Sequence, residues 1–143
     1  MKVKDIMNKP AVTVGPKDDV RSAAALMNQY DIGAVAVTDE HGGVAGIITD
    51  RDIAIRCAVS ATAPADTYAE KIMSKGIISV SPENSLTEAS RLMAKHKVRR
   101  LPVCDNGRLV GMISLGDISR TSDMFPQASA AFCDISRSDS DED

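Results

Sequence analysis

Apolar positions along this chain recur in two successive halves, with a similar order of spacings in each half. In the first half, Val20, Ala23 and Met27 recur at helical spacing and predict an amphipathic helix. The unbroken apolar run 34–37 that follows is typical of a buried strand, because a strand covered on both faces needs no polar alternation. Each half therefore predicts the order strand, helix, strand, strand, helix.

Turn and capping residues mark the ends of several of these elements. Asp19 precedes the first long helix, where a carboxylate can accept hydrogen bonds from unpaired backbone N–H groups. In the second half, Ser85 and Glu88 have the spacing of a capping box. The dipeptide Asn106-Gly107 lies between two apolar runs and predicts a tight hairpin turn.

An internal repeat underlies the similarity of the two halves. A shift of 66 residues places the segment 5–7 on the segment 71–73, and it also pairs residues at turn and core positions. Each repeat has about 55 residues and would bury too little surface on its own. We therefore expect the two repeats to fold together.

The repeat is clearest where the third strand of each half ends. The segments Gly46–Asp52 and Gly111–Asp117 each contain a small apolar strand, a hydroxyl residue and an aspartate three positions later. The hydroxyl and the carboxylate would meet where a strand turns into a helix. They could cap that helix, or they could bind a phosphorylated ligand that carries hydroxyl groups. The residue types alone leave both interpretations open.

Charge is distributed unevenly in this chain of 143 residues, whose net charge is −3. Residues 121–143 carry −5, so residues 1–120 carry +2. A mildly basic body suits a small anionic ligand and is too weakly charged to indicate a nucleic-acid partner. The acidic side chains of the last segment are Asp123, Asp134, Asp139, Asp141, Glu142 and Asp143.

Several functional classes find little support in the sequence. No apolar run approaches the roughly 18 to 20 residues that span a bilayer, and no apolar signal region follows the first charged residues, so we expect a cytoplasmic protein without membrane association. The cysteines Cys57, Cys104 and Cys133 form no CxxC pair, which favours reduced thiols and no metal site. No nucleophile lies near a histidine at motif spacing, so we expect no enzyme.

The doubled strand-helix-strand-strand-helix pattern, with a G-h-h-[S/T]-x-x-D corner in each copy, resembles a pair of cystathionine beta-synthase (CBS) domains, called a Bateman module. The segments Ile48–Ile53 and Val98–Val103 are similar to those of small stand-alone bacterial members. The resemblance implies an α/β (α+β) tandem fold with pseudo-two-fold symmetry. It implies a first repeat over residues 1–60, a connector over 61–68, a second repeat over 69–120 and an acidic, partly disordered tail over 121–143.

The resemblance also implies a function. Members of this family bind adenine ligands in clefts between the repeats, so we expect AMP, ADP or ATP as a regulatory ligand and no resident cofactor. We further expect a homodimer that reports to an unidentified client protein.

The family pattern assigns roles to particular residues of this sequence. Asp117 and Asp52 would accept hydrogen bonds from ribose hydroxyls, while Ser114 and Thr49 would meet a phosphate or ribose oxygen. In this family, two positions just before the second strand supply positive charge to the phosphates. They are Arg99 and Arg100 in the second repeat, whereas the matching residues of the first repeat, Gly33 and Ala34, carry no charge. We therefore expect the phosphate-bearing site at the second corner. The purine would contact residues on strand edges and ends: Val12, Ile32, Gly33 and Ile78.

Two other functions remain open at this point. The chain could be a ligand-free interaction protein whose fold only mediates dimerisation, with Arg99 and Arg100 forming a solvated basic helix end. It could also be a redox-responsive module that uses Cys104.

Overall fold

The computed structural model describes residues 1–121 and 123–137. Among these residues it confirms a mixed α/β fold made of short strands and helices. Their bounds, in chain order, are α1 (Val3–Ile6), β1 (Thr13–Val14), α2 (Val20–Tyr30), β2 (Ala34–Thr38), β3 (Val44–Thr49), α3 (Asp50–Asp52), a π-helical turn (Ile53–Cys57), α4 (Ala58–Ser60), a 3-10 turn (Pro64–Asp66), α5 (Ala69–Ile72), α6 (Leu86–His96), β4 (Arg100–Asp105), β5 (Arg108–Ser114), α7 (Leu115–Ser119) and α8 (Phe125–Ser136).

The chain divides into two compact units whose limits differ from those of the sequence repeats. One contains residues 10–77 and 106–109, and we call it the Asp52 unit. The other contains residues 1–9, 78–105 and the described residues from 110 onward, and we call it the Asp117 unit. The first nine residues precede the first repeat's strands in sequence, but they pack with the second repeat. The units are defined by contacts in the folded chain, and not by order along the sequence.

The Asp52 unit contains a three-stranded sheet with β2 at its centre. β1 pairs with β2 in parallel, and β3 pairs with it antiparallel. β2 is buried from Ala34 to Val37, as the apolar run predicts. β1 begins at Thr13, and the preceding Val12 carbonyl accepts a hydrogen bond from Ala36 N at 3.3 Å. Asp19 caps α2 as predicted, and its carboxylate accepts from Ser22 N at 2.7 Å.

The second repeat builds the hairpin of β4 and β5. Asn106 and Gly107 both have positive φ, at 50° and 78°, which confirms the predicted turn. Ser85 caps α6 by accepting from Glu88 N at 3.1 Å. The reciprocal half of the predicted capping box is wrong, because the Glu88 carboxylate accepts from the side-chain amide of Asn84 at 2.6 Å instead.

Each unit has its own apolar core. The Asp52 unit packs α2 against its sheet, with Val20, Ala23 and Met27 buried, as the helical spacing predicts. The core of the Asp117 unit includes Met93 of α6 and Leu101 of β4. It also includes buried residues of α1, α7 and α8: Val3, Leu115, Ile118, Ala128 and Ala131.

The C-terminal segment is more ordered than the sequence suggests. Residues 125–136 form α8 within the segment 121–143, which we expected to be a partly disordered tail. Phe125 and Phe132 of this helix are exposed, while Ala128 and Ala131 are buried. Small side chains let α8 lie close to its neighbours. Because alanine is only weakly apolar, the sequence pattern did not predict this helix. Arg137 is exposed, and the rest of the expected disordered tail, residues 138–143, lies outside the described residues.

The segment 1–9 joins the Asp117 unit through backbone contacts at both of its ends. Near its start, Val3 N donates to the carbonyl of Asn84 at 2.8 Å. Near its end, Asn8 and Met112 exchange two backbone hydrogen bonds, of 2.8 and 3.0 Å. The strand can be approached this closely because residue 111 is glycine: a Cβ there would lie 2.8 Å from the Asn8 carbonyl oxygen.

The same arrangement occurs in the Asp52 unit, at the position that the repeat predicts. Ser74 exchanges backbone hydrogen bonds of 2.8 and 3.1 Å with Ile47 of β3. A Cβ on Gly46 would lie 2.8 Å from the Ser74 carbonyl oxygen and 2.6 Å from the sulfur of Met73. The two glycines therefore serve the same purpose, which is to admit a segment of backbone beside the strand.

We expect Gly46→Ala and Gly111→Ala each to lower the free energy of unfolding by about 1–3 kcal/mol, since the new methyl group must displace backbone. Urea denaturation of the purified protein measures this change. Gly15→Ala is the matched control, because its Cβ would make an ordinary contact of 3.5 Å with Asp18. Unchanged stability in both strand variants would contradict the close approach.

Ion pairs at the start of the chain predict a dependence of stability on pH. Hydrogen bonds from Lys2, at 2.6 Å, and from Lys4, at 2.9 Å, lower the pKa of Glu83 from 4.5 to about 2. A carboxyl group whose pKa is lower in the folded state stabilises the fold above its unfolded pKa. It loses that contribution as the pH falls through the folded value.

We therefore expect Glu83→Gln to reduce the melting temperature at pH 7 slightly, and to flatten its decline between pH 4.5 and about 2. The effect is small and weakens with added salt, since all three side chains are largely exposed. Thermal melts across this range test it, with the exposed Glu40→Gln as control. An identical decline in Glu83→Gln and the unmodified protein would contradict it.

Candidate functional site

The second corner is built by two reciprocal hydrogen bonds. β5 ends at Ser114, whose hydroxyl oxygen accepts from Asp117 N at 3.0 Å. In return, Oδ2 of Asp117 accepts from Ser114 N at 2.9 Å. This is a capping box that begins α7. Both predicted ligand residues therefore have a structural role at the strand-to-helix turn.

Asp117 has two further partners, the exposed residues Asn8 and Arg120. Oδ2 also accepts from the side-chain amide of Asn8 at 2.9 Å. Oδ1 accepts from Nη2 of Arg120 at 2.7 Å. The Asp117 side chain is only 12% exposed, whereas that of Arg120 is 73% exposed. One carboxylate oxygen is thus held by the fold, and the other is covered by a surface arginine.

The first corner has the same capping box. Thr49 Oγ1 accepts from Asp52 N at 3.1 Å, and Asp52 Oδ2 accepts from Thr49 N at 2.9 Å. Here the arginine is Arg56, whose guanidinium lies 3.7 Å from Asp52 Oδ1. It also donates to the Ile72 carbonyl at 2.6 Å and to the Ser74 hydroxyl at 3.2 Å. Arg56 is therefore anchored on several sides.

Backbone hydrogen bonds place the predicted phosphate-binding positions next to each corner. The Arg99 carbonyl accepts from Leu115 N at 2.8 Å, so Arg99 and Arg100 are tied to the first residue of α7. The guanidinium of Arg99 lies 5.4 Å from the ring centre of Phe132. The half-buried Arg100 makes no side-chain hydrogen bond or ion pair within residues 1–121 and 123–137. Its guanidinium is thus available to an anion.

The first repeat copies this backbone arrangement without the charge. The Gly33 carbonyl accepts from Asp50 N at 3.0 Å, as the Arg99 carbonyl does in the second repeat. Ala34 is buried, so neither position brings a cation to the first corner. Gly33 does not have positive φ. Residue types other than glycine could therefore adopt its backbone conformation.

The residues predicted to contact a purine are apolar and partly accessible. Val12 and Ile32 are half-buried and pack against the core of the Asp52 unit. Ile78 belongs to the Asp117 unit and is 36% exposed. The shift of 66 residues pairs Val12 with Ile78, so the two hold matching positions in the two repeats.

Three of the residues that hold the corners were missed by the sequence analysis. Arg120 and Arg56 follow their aspartates by three and four positions, a spacing that brings side chains together on a helix and could have identified them. No such signal exists for Asn8, which reaches Asp117 across 109 positions of sequence. Only the folded chain shows that contact.

The described residues also bear on the alternative chemistries. Burial raises the pKa of Cys104, an effect that a hydrogen bond with Ser79 partly offsets. A raised pKa lowers the thiolate fraction, which disfavours Cys104 as a redox sensor. Within residues 1–121 and 123–137, no cluster of three His, Cys, Asp or Glu side chains is placed to hold a metal ion. Over the same ranges, no helix is long and apolar enough to cross a membrane.

The two compact units carry duplicated, capped corners. The CBS domain model matches residues 3–58 and 69–123, so the chain belongs to the CBS domain family and is a regulatory ligand-binding module. The resemblance seen in the sequence is thereby confirmed.

Similar proteins cover nearly the whole chain. The CBS domain-containing protein YhcV of Bacillus subtilis is 40% identical over 134 residues, which are 94% of each chain. Hypoxic response protein 1 of Mycobacterium tuberculosis is 34% identical over 117 residues, which are 82% of each chain. The structure of Hypoxic Response Protein I with two coordinated zinc ions has a TM-score of 0.78 at 33% identity, covering 85% of this chain and 98% of that one.

A further structure contains bound adenosine compounds. The CBS domain pair of protein MJ0100 was solved in complex with 5′-methylthioadenosine and S-adenosyl-L-methionine. It has a TM-score of 0.76 at 30% identity and covers 84% of this chain and 94% of that one.

Proposed function

We propose that this protein is a cytoplasmic, non-enzymatic sensor that binds AMP, ADP or ATP at the Asp117 corner and reports to a client protein. The observation that carries the proposal is the guanidinium of Arg100, which has no partner among the described residues and begins the strand tied to this corner. A half-buried cation without a partner favours an anionic ligand. Arginine matches the oxygens of a phosphate group especially well.

The corner itself offers the complementary groups for a ribose. Oδ1 of Asp117 has one protein partner and retains capacity for another hydrogen bond. A ribose hydroxyl that donates to this carboxylate makes a charge-assisted hydrogen bond. The Ser114 hydroxyl accepts from Asp117 N and can donate its own hydrogen to a ligand oxygen. Arg99 would add a second cation, if it left the Phe132 ring.

The Asp52 corner would favour a less highly charged ligand. Thr49 and Asp52 offer the same hydroxyl and carboxylate, but Gly33 and Ala34 bring no charge. For the purine, we assign Val12, Ile32 and Gly33 to this corner, and Ile78 to the Asp117 corner. Partly exposed apolar side chains suit an adenine ring, because small-molecule sites are lined mainly by apolar groups.

The bound compounds of the MJ0100 pair support an adenosine ligand, since both contain that group. Neither bears a phosphate, and Arg100 is our reason for preferring a nucleotide in this chain. The ligand would act by population shift: it stabilises the conformation that binds it better, and the client responds to that conformation.

We expect AMP to bind the purified protein in isothermal titration calorimetry, and Arg100→Gln to weaken that binding about tenfold by removing a charge-assisted contact. Arg91→Gln is the control, because Arg91 is an exposed arginine of the same unit and should leave the affinity unchanged. Asp117→Asn should also weaken binding. It is preferable to alanine because an amide retains an oxygen that can cap α7.

The absence of heat or thermal stabilisation with AMP, ADP and ATP at millimolar concentration would contradict the proposal. It would favour the ligand-free interaction protein instead.

We also propose that the protein is a homodimer. The helix after the first corner exposes Ile55 and Val59, which are 45% and 82% accessible and one helical turn apart. With Tyr68 and Ile72 they line a concave pocket of about 740 Å³ on the Asp52 unit, whose lining is mostly apolar but also includes charged side chains. An exposed, mostly apolar patch with polar residues around it is typical of an interface. One similar structure is a hexameric CBS-CP12 protein, so assembly occurs among the relatives of this chain.

Val59→Asp should therefore convert the dimer into a monomer, because each interface would bury an unpaired charge. Light scattering coupled to size exclusion measures the mass. Ser60→Asp on the neighbouring position tests whether a charge at the rim alone suffices. A monomeric unmodified protein, or a Val59→Asp protein of unchanged dimeric mass, would contradict this interface.

A further inference from the structure

The two oxygens of the Asp117 carboxylate have partners of very different kinds. Oδ2 is held by the backbone N–H of Ser114 and by Asn8, both within the folded unit. Oδ1 is bonded to the guanidinium of Arg120, whose side chain is 73% exposed. Any ligand hydroxyl that approaches Asp117 from solvent therefore meets Oδ1 together with Arg120.

Arg120 has few other attachments. Its guanidinium bonds to Asp117 alone among the described residues. It lies over Gly116, where a Cβ would come within 3.3 Å of Nη1, so the glycine leaves room for it. An exposed ion pair of this kind contributes little to stability and exchanges readily with water. Arg120 can thus leave Asp117 without disturbing the core.

Arg56 of the Asp52 unit provides the internal comparison. It lies farther from its carboxylate, at 3.7 Å, and donates to Ile72 and Ser74. Those two contacts hold its guanidinium in place. At the Asp52 corner, Arg56 would therefore not be free to move from the carboxylate to a bound ligand.

We propose that Arg120 makes the Asp117 corner selective for phosphorylated nucleosides over free nucleosides, an inference that rests on the proposed function. A ribose hydroxyl that takes the place of Arg120 at Oδ1 releases the guanidinium from its ion pair. A nucleotide offers the released guanidinium its phosphate, and the lost ion pair is replaced by a charge-assisted hydrogen bond. A free nucleoside offers nothing in return. The exchange of partners by this surface arginine therefore adds to the preference for a phosphorylated ligand that Arg100 gives.

The test compares AMP with adenosine by calorimetry on the unmodified protein and on Arg120→Gln. We expect the unmodified protein to prefer AMP. Arg120→Gln should weaken AMP binding about tenfold and leave adenosine binding equal or slightly stronger. Arg120→Lys, which keeps the charge, should retain part of the preference. Arg91→Gln should behave as the unmodified protein, and matching melting temperatures would verify that every variant is folded.

The outcomes separate this inference from the function on which it rests. If the unmodified protein binds neither compound, the proposed function fails and the role of Arg120 fails with it. If AMP binds but Arg120→Gln leaves the ratio of the two affinities unchanged, only the role of Arg120 is wrong. An equal loss for AMP and adenosine would also overturn it, since that result describes a structural residue and not a selective one.

Discussion

The reciprocal hydrogen bonds between Ser114 and Asp117 are the interaction on which the second half of the structure depends. They begin α7 at a defined residue, and this places Leu115 and Ile118 in the core of the Asp117 unit. The same carboxylate accepts from Asn8, and so it also holds the end of a segment that lies more than 100 positions earlier in the sequence. Thr49 and Asp52 repeat the capping arrangement in the other unit. A single short pattern therefore caps a helix in each unit, and in one of them it also fastens a distant segment.

Much of this structure could be predicted from the sequence where the determining contacts are local. The turn at Asn106-Gly107 and the cap at Asp19 depend on residues within four positions of each other, and both are confirmed. Near Glu88 the local pattern was insufficient, because Asn84 competes for its carboxylate at 2.6 Å. The family resemblance then supplied the tandem fold, which no single local signal could establish.

The features that were missed are those that depend on distant parts of the chain or on small side chains. The assignment of residues 1–9 to the Asp117 unit requires Asn8 to meet Met112, and periodicity carries no information about such pairs. α8 was missed because the face it buries consists of Ala128 and Ala131, which contribute little to an apolar pattern. For the candidate site, the corner residues could be named, but the partners of their side chains could not. Those partners decide which carboxylate oxygen faces solvent.

The distribution of partners suggests why a capped corner can also serve as a ligand site. Ser114 and Oδ2 of Asp117 are used by the fold, so they could not change without loss of the turn. Arg100 and Arg120 are different, since neither belongs to the core cluster and neither takes part in the capping box. In the Asp52 unit, Ala34 holds the position of Arg100 and is buried, and the arginine near the aspartate, Arg56, is anchored to backbone. Because the fold constrains the caps and leaves the cations free to differ, the two corners can keep one architecture and differ in the charge of the ligand they accept.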